Sequence, residues 1–378
     1  MVAGRKISAV VDEAIPFIRG VLEPHASVVY LPGSEISTGN LKHADTLIIR
    51  TRTLCNSSLL ADTVIRFIGT ATIGYDHIDT RWCRKKGITW AAAPGCNSGS
   101  VTQYMVATLL HLCLLSGREP AEFTLGVVGA GHVGCKVTAA ARALGMRTLV
   151  NDPPRQRREK SDAFSSLKVL LRESDIITLH VPLTVSGRDA TFHLAGRDFI
   201  GSLKRGAYLI NTSRGGVADE EEIKRSLWSG RLGGYIADVW TGEPAADSEL
   251  IGMAKIATPH IAGYSADGKL NGTRIILREL SDYFSLPLSL PDHGVLPVPG
   301  NPVITLPGIE SGTTEALHGL VRETYDIESE SRRFKSSPGM FESLRNNYSS
   351  TRREFHAYSI TGAHPASVTA VSLGFRKE

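Results

Sequence analysis

The stretch Phe123-Thr-Leu-Gly-Val-Val-Gly-Ala-Gly-His-Val-Gly134 constrains this chain more than any other, because a short apolar run ends in the spacing Gly129-x-Gly131-x-x-Gly134. It reads as a strand, a tight turn and a helix. The first glycine lets the chain reverse, the second lets backbone N–H groups of the turn, including those of His132 and Val133, approach a pyrophosphate, and the third lets the helix pack close to the strand. A helix start offers unpaired N–H donors and the positive end of a dipole, so a phosphate is favoured there. Many turns carry two or three glycines, so the meaning of the spacing rests on what surrounds it.

What surrounds it is regular alternation. Before the glycine turn, short apolar runs at Lys6 to Val11, Thr46 to Ile49, Phe67 to Thr70 and Thr89 to Ala93 predict a small parallel α/β sheet, the first strand reaching back towards Val2. A long helix, capped by Ser98 or Ser100, runs to about Gly117. After the turn come a helix His132 to Leu144, strand Arg147 to Asn151, helix Ser166 to Arg172 and strand Asp175 to Val181. Strand Ala207 to Asn211, helix Asp219 to Trp228 and strand Gly233 to Val239 complete the series. This predicts a doubly wound sheet. Beyond Leu286 the prolines at 287, 291, 297, 299, 302 and 307 read as a linker. A small module follows, with helices over Thr313 to Arg322 and Met340 to Phe355 and a strand over Val368 to Phe375. Phe334, Phe341, Leu344, Tyr348 and Phe355 give it area to bury.

A chain of 378 residues suggests two or three domains. Its formal charge of +4 is spread along the sequence and demands neither nucleic acid nor a membrane surface. The basic clusters Arg155-Gln-Arg157-Arg158 and Arg352-Arg353 read as solvated surface. Five cysteines without a C-x-x-C pair, and no long apolar run near the start, fit a reduced, cytoplasmic setting. The apolar stretch Val101 to Leu115 is shorter than a membrane span and contains Gln103 and His111, which favours a buried helix.

The polar residues that matter stand just beyond strands. Asp152 follows the second strand of the glycine-turn series, close to the spacing at which a carboxylate accepts hydrogen bonds from an adenosine ribose and repels the extra phosphate of NADP. Arg155, Arg157 and Arg158 could pair with that phosphate, but the carboxylate favours NAD; a plain turn residue is the other reading of Asp152. In Leu209-Ile-Asn-Thr-Ser-Arg-Gly-Gly216, Arg214 can grip a carboxylate through two parallel hydrogen bonds, or form a structural ion pair. Ala237-Asp-Val-Trp-Thr-Gly-Glu-Pro244 and Thr258-Pro-His-Ile-Ala-Gly-Tyr264 contribute Glu243 and His260. Imidazole titrates near neutrality and can take a hydroxyl proton, with a carboxylate to orient the ring. A lone histidine is more often surface or satisfied core, so the pair carries the argument.

In their order, Gly129-x-Gly131-x-x-Gly134, Asp152, Ile210-Asn-Thr-Ser-Arg214, Asp238-Val-Trp-x-Gly-Glu243-Pro and Pro259-His260-Ile-Ala-Gly263 make the chain resemble the D-2-hydroxyacid dehydrogenases. The resemblance implies an NAD-dependent oxidoreductase in which Arg214 holds the substrate carboxylate, His260 is the acid/base and Glu243 pairs with it. It places Asp152, Val181, Asp238 and Gly263 against NAD. It also implies a Rossmann-type doubly wound NAD-binding domain over residues 97–266 and a smaller flavodoxin-like α/β substrate domain over 1–96 and 267–288. Within the family, Val11-Asp-Glu13, Arg50-Thr51, Gly69-Thr-Ala-Thr72-x-Gly-x-Asp-His77, Ala92-Ala-Pro-Gly-Cys-Asn97, Tyr325-Asp326, Phe341 to Tyr348 and Arg352 to Phe355 are similar to a branch acting on a phosphorylated 2-hydroxy acid. That branch implies a small α+β C-terminal dimerisation module over 289–378, hence a homodimer, with Thr51, Thr72 and Tyr264 on the substrate. Thr51 stands where serine is common, and Val181 where a threonine is expected. The substrate phosphate would need its own cation, Arg50, Arg52 or an arginine of the C-terminal module. A dehydrogenase of glycerate, phosphoglycerate or lactate, and a non-catalytic NAD-sensing scaffold, remain alternatives; no metal is expected.

Overall fold

The computed structural model describes residues 6–348 and 351–378. Residues 2–5 of the first predicted strand, and 349–350 of the helix predicted over Met340 to Phe355, lie outside the described residues. The chain divides into two compact units, one of Met1–Asn97 with Ser265–Pro297, the other of Ser98–Tyr264 with Val298–Glu378.

The first unit is built on five parallel strands, β1 (Ile7–Asp12), β2 (Ala26–Leu31), β3 (Thr46–Ile49), β4 (Phe67–Thr70) and β5 (Thr89–Ala91), in the order β2-β1-β3-β4-β5. This is the flavodoxin-like order. β3 and β4 are buried along their whole length, as expected of central strands covered on both faces. The helix Ala266–Phe284 returns to cover one face, packing Ile276, Leu277 and Leu280 with Ala9, Val11, Ile48 and Phe67. A Cβ at Gly69 would lie 2.5 Å from the Ile276 side chain, so this crossing requires glycine on β4.

The second unit holds six parallel strands, β6 (Thr124–Val128), β7 (Arg147–Asn151), β8 (Ile176–Leu179), β9 (Ala207–Asn211), β10 (Leu232–Ala237) and β11 (Ile256–Ala257), in the order β11-β10-β9-β8-β6-β7. The winding reverses at β6, which has β7 on one side and β8 on the other. Such switch points, at the carboxyl ends of the strands, are where doubly wound sheets bind ligands. The helix Ser98–Ser116 is long and apolar enough to cross a membrane, yet 72% of its apolar window is buried in this core. It lies against the helices His132–Ala143 and Thr313–Thr324.

The C-terminal residues add three short parallel strands, β12 (Val303–Thr305), β13 (Ser359–Thr361) and β14 (Arg376–Lys377), and share the second unit's core through Leu317, Tyr325, Phe355 and Phe375. Here the structure corrects three expectations. Val368 to Phe375 is no strand: residues Ala366–Leu373 form a helix that buries Ala366 and Ala370, one helical turn apart, and ends on Gly374 at φ +111°. Among the described residues of the helix expected over Met340 to Phe355, only Phe341–Asn346 is α-helical, after a 3₁₀ turn at Pro338–Met340, while a helix Ile327–Ser336 precedes it. Arg352 and Arg353 are not solvated but 6% and 8% exposed. Arg352 is affordable inside because its guanidinium donates to the Ser100 carbonyl at 2.7 Å, the Ile261 and Ala262 carbonyls and the Gln103 amide oxygen, and lies 3.8 Å from the centre of the Tyr325 ring.

Candidate active site

All six strands of the second unit run in one direction, so the residues just past them gather at one edge of the sheet. Gly129 follows β6, Asp152 follows β7, Val181 lies two residues past β8, Arg214 three past β9, Asp238 and Glu243 one and six past β10, and His260 three past β11. In the first unit Arg50, Thr51 and Thr72 hold the same position beyond β3 and β4.

Two of the three glycines of the turn are fixed by close contacts within the chain. Gly129 adopts φ +94°, and a Cβ there would lie 2.4 Å from the His180 carbonyl oxygen and 2.9 Å from a Val181 methyl, which places Val181 beside the turn. A Cβ at Gly134 would lie 1.9 Å from the Gly129 oxygen, so the helix start is locked against the turn. Gly131, at the N-cap of the helix His132–Ala143, has open space around it and an ordinary φ of −77°. Gly131 and His132 are exposed and Val133 half-buried, leaving the helix N-terminus accessible to a phosphate group. Gly134→Ala is therefore expected to cost roughly 2–4 kcal/mol of stability, whereas Gly131→Ala leaves stability within about 0.5 kcal/mol and weakens NAD binding. Thermal unfolding and NAD titration of the two variants check this.

Asp152 serves the turn as well as any ligand. One carboxylate oxygen accepts the Ala130 N–H at 2.8 Å and the other the Arg155 N–H at 2.9 Å, capping the helix Pro153–Glu159. The neighbouring arginines have acidic partners of their own: Arg155 pairs with Glu159 at 2.7 Å, Arg157 with Asp189 and Arg158 with Glu159. A carboxylate at the adenosine position, with the nearby cations already paired, suits the ribose of NAD rather than the extra phosphate of NADP.

At the other end of the edge, His260 Nδ1 lies 2.7 Å from Glu243 Oε2. An ionised carboxylate only accepts, so Nδ1 is the donor, and in the neutral ring Nε2 is the nitrogen left to accept a proton. The second Glu243 oxygen accepts the Trp240 N–H at 2.8 Å. Burial works to raise the Glu243 pKa, but the bond to His260, its charge and the Trp240 N–H bring it below the ordinary carboxylate value of 4.5. His260 adopts φ +59°, a left-handed conformation that costs a non-glycine residue energy and persists only where the surroundings fix it.

Those surroundings are visible. Asp238, 1% exposed, accepts the Thr258 hydroxyl at 2.6 Å and the Ile261 and Ala262 N–H groups at 2.7 and 2.9 Å, tying the end of β10 to the loop that carries His260 and Gly263. Burial raises its pKa above the ordinary carboxylate value, with the His260 charge and these hydrogen bonds opposing. The Trp240 indole donates to the Thr258 carbonyl at 2.9 Å, and Arg352 holds the Ile261 and Ala262 carbonyls from behind.

Arg214 stands at the N-cap of a 3₁₀ turn, Gly215–Val217, and its guanidinium donates to the Ser213 carbonyl at 2.8 Å. The sequence suggests that the two glycines after it keep its surroundings open. The structure corrects this for Gly215: a Cβ there would lie 2.1 Å from the Trp240 backbone, so the Arg214 loop packs directly on the loop of Glu243. His180, beside Val181, bonds the Thr178 hydroxyl through Nε2 at 3.0 Å, and burial pushes it down to about 3, so it stays neutral. Tyr264 is half-buried at the end of the His260 loop, and its hydroxyl accepts Arg345 Nε at 3.1 Å. Arg345 also places Nη1 3.8 Å from Glu243 Oε2. The sequence gives Arg345 no individual role, since nothing in a surface-like helix near the C-terminus announces what it faces.

In the first unit Thr72 bonds the Thr70 hydroxyl at 2.7 Å and donates to the Gly74 carbonyl at 2.9 Å, while Thr70 lies 3.0 Å from His77 Nε2. Thr51 is exposed, and Arg50 reaches the Ala14 carbonyl at 3.3 Å.

Similarity to known proteins agrees with this layout. The profile of the D-isomer specific 2-hydroxyacid dehydrogenase NAD binding domain matches residues 110–262, and a second profile, a domain of unknown function (DUF3410), matches residues 295–373. The erythronate-4-phosphate dehydrogenase of Bacteroides fragilis (strain YCH46) is 46% identical over 356 residues, covering 94% of this chain and 99% of that protein. The enzyme of the same name from Escherichia coli O1:K1 / APEC is 38% identical over 366 residues, covering 97% of each. Among solved structures, the D-lactate dehydrogenase of Aquifex aeolicus complexed with NAD and lactic acid is similar at a TM-score of 0.62 and 28% identity, covering 74% of this chain and 95% of that one. With the ordered motifs at one sheet edge and near full-length similarity to both relatives, the chain belongs to the erythronate-4-phosphate dehydrogenases of the D-2-hydroxyacid dehydrogenase family.

Proposed function

We propose that this chain oxidises 4-phospho-D-erythronate at C2 to 2-oxo-3-hydroxy-4-phosphobutanoate with NAD, a step of pyridoxal 5'-phosphate biosynthesis. The observation that supports it most is the hydrogen-bonded pair His260 and Glu243, held at the carboxyl edge of a sheet whose glycine turn and Asp152 suit NAD. NAD, when bound, supplies the acceptor for the hydrogen leaving C2 with its electron pair. Arg214 grips the substrate carboxylate through its planar fork. His260 Nε2 takes the proton of the 2-hydroxyl and becomes a cation, which the Glu243 carboxylate stabilises and orients. Thr51, Thr72, Tyr264 and Arg50 are assigned to the substrate, and His132, Val133, Val181, Asp238 and Gly263 to the side of the cofactor. The residues 289–378 are assigned to homodimer formation, and cysteines that form no disulfide among the described residues suit the cytoplasm.

The test is turnover of 4-phosphoerythronate against phosphoglycerate, glycerate and lactate, with NAD and NADP in parallel. Preference for 4-phosphoerythronate and NAD supports the reading; preference for another acid replaces the substrate.

The lowered pKa of Glu243 has a consequence for stability. In the folded protein it holds its charge to lower pH than in the unfolded chain, so its contribution is complete above about 4.5 and is lost as pH falls through the lower folded value. The stability difference between wild type and Glu243→Gln should therefore be flat near neutrality and shrink below that pH, as read from denaturant unfolding across the acid range.

A further inference from the structure

We propose that Arg345, together with the Tyr264 hydroxyl, forms the binding site for the phosphate of the substrate. The inference rests on the proposed function and extends it to the group that separates this substrate from lactate or glycerate.

Arg345 stands on the helix Phe341–Asn346, within the C-terminal segment that carries its own domain profile. The structurally similar D-lactate dehydrogenase, whose named ligand has no phosphate, matches about three quarters of this chain. Thus a cation from the C-terminal segment is brought beside a pair of residues in the common dehydrogenase sheet.

The geometry separates a binding arginine from a structural one. Arg352, seven positions on, spends its donors on three backbone carbonyls and an amide oxygen. Arg345 is half-buried, with a quarter of its side chain exposed, and among the described residues its guanidinium makes one hydrogen bond, from Nε to Tyr264. Nη1 also forms an ion pair with Glu243 Oε2, but at 3.8 Å it is too long for a hydrogen bond, so the Nη donors are not committed to that carboxylate. A guanidinium with donors to spare is suited to bidentate contact with a phosphate. Arg345 and His260 approach the same oxygen of Glu243, at 3.8 and 2.7 Å, and a phosphate on C4 is two carbons from the reacting C2. Tyr264 is the hinge of this arrangement, since it belongs to the His260 loop and bonds Arg345.

The experiment compares wild type, Arg345→Gln and Arg345→Lys on 4-phosphoerythronate and on erythronate, with NAD affinity and thermal unfolding as checks on folding. Arg345→Gln is expected to raise KM for 4-phosphoerythronate on the order of 10- to 100-fold, with kcat changed much less. Erythronate kcat/KM should stay within about 3-fold, and Arg345→Lys should fall between, because it keeps the charge without the fork. Inorganic phosphate should compete with 4-phosphoerythronate in wild type and far more weakly in Arg345→Gln, a readout that needs no turnover of erythronate. Equal loss on both substrates with unchanged phosphate competition, or a shifted pH profile at unchanged KM, overturns the assignment and makes Arg345 a positioning residue for Glu243. A wild type inactive on 4-phosphoerythronate but active on another 2-hydroxy acid overturns the proposed function itself.

Discussion

Replacing His260 by alanine is expected to lower kcat by about 10²- to 10⁴-fold while leaving NAD affinity unchanged. The expectation follows from what surrounds the ring. Glu243 fixes the tautomer from Nδ1, so Nε2 is the atom free to take a proton. The backbone is held at φ +59° by Asp238, which accepts the N–H groups of the two residues that follow. The chain thus orders a loop around one imidazole, and little of that ordering involves the glycine turn at the far end of the sheet edge. Steady-state rates combined with fluorescence titration of NADH distinguish the two contributions. A parallel loss of turnover and cofactor binding would mean that His260 shapes the cofactor site instead of moving a proton.

Arg214→Ala is expected to lower kcat/KM by on the order of 10²-fold or more, again with NAD affinity intact. A charge-assisted hydrogen bond contributes about 1.5–3 kcal/mol, and loss of the fork also frees the substrate to adopt unreactive orientations. Lysine should not restore the activity, because it keeps the charge but not the planar pair of donors. The close packing of Gly215 on the Trp240 backbone supports this, since it fixes the Arg214 loop against the loop of Glu243. If Arg214→Lys performed like wild type, charge alone would account for the residue.

The parts of this structure legible in the sequence are those dictated by local steric and periodic rules. Thr46–Ile49, Phe67–Thr70, Arg147–Asn151 and Ala207–Asn211 are read to the residue, because each is a short apolar run closed by polar residues. The catalytic candidates are visible because a parallel sheet collects strand ends at one edge, so order along the chain translates into neighbourhood. The C-terminal segment is less legible. The valines of Val368 to Phe375 suggest a strand, but Ala366 and Ala370 one turn apart and Gly374 at the end select a helix. Arg352 and Arg345 look like surface charges, and only the fold shows that one supports the His260 loop from behind while the other lies beside Tyr264. Burial of an arginine depends on distant carbonyls, which no local pattern reveals.

In the proposed reaction hydrogen leaves C2 of the phosphorylated acid for NAD while His260 takes the hydroxyl proton. It is tested most directly with 4-phosphoerythronate deuterated at C2, by following where the label goes. One deuterium is expected on the reduced nicotinamide in each turnover. Deuterium released to water, with unlabelled NADH or none, would contradict it.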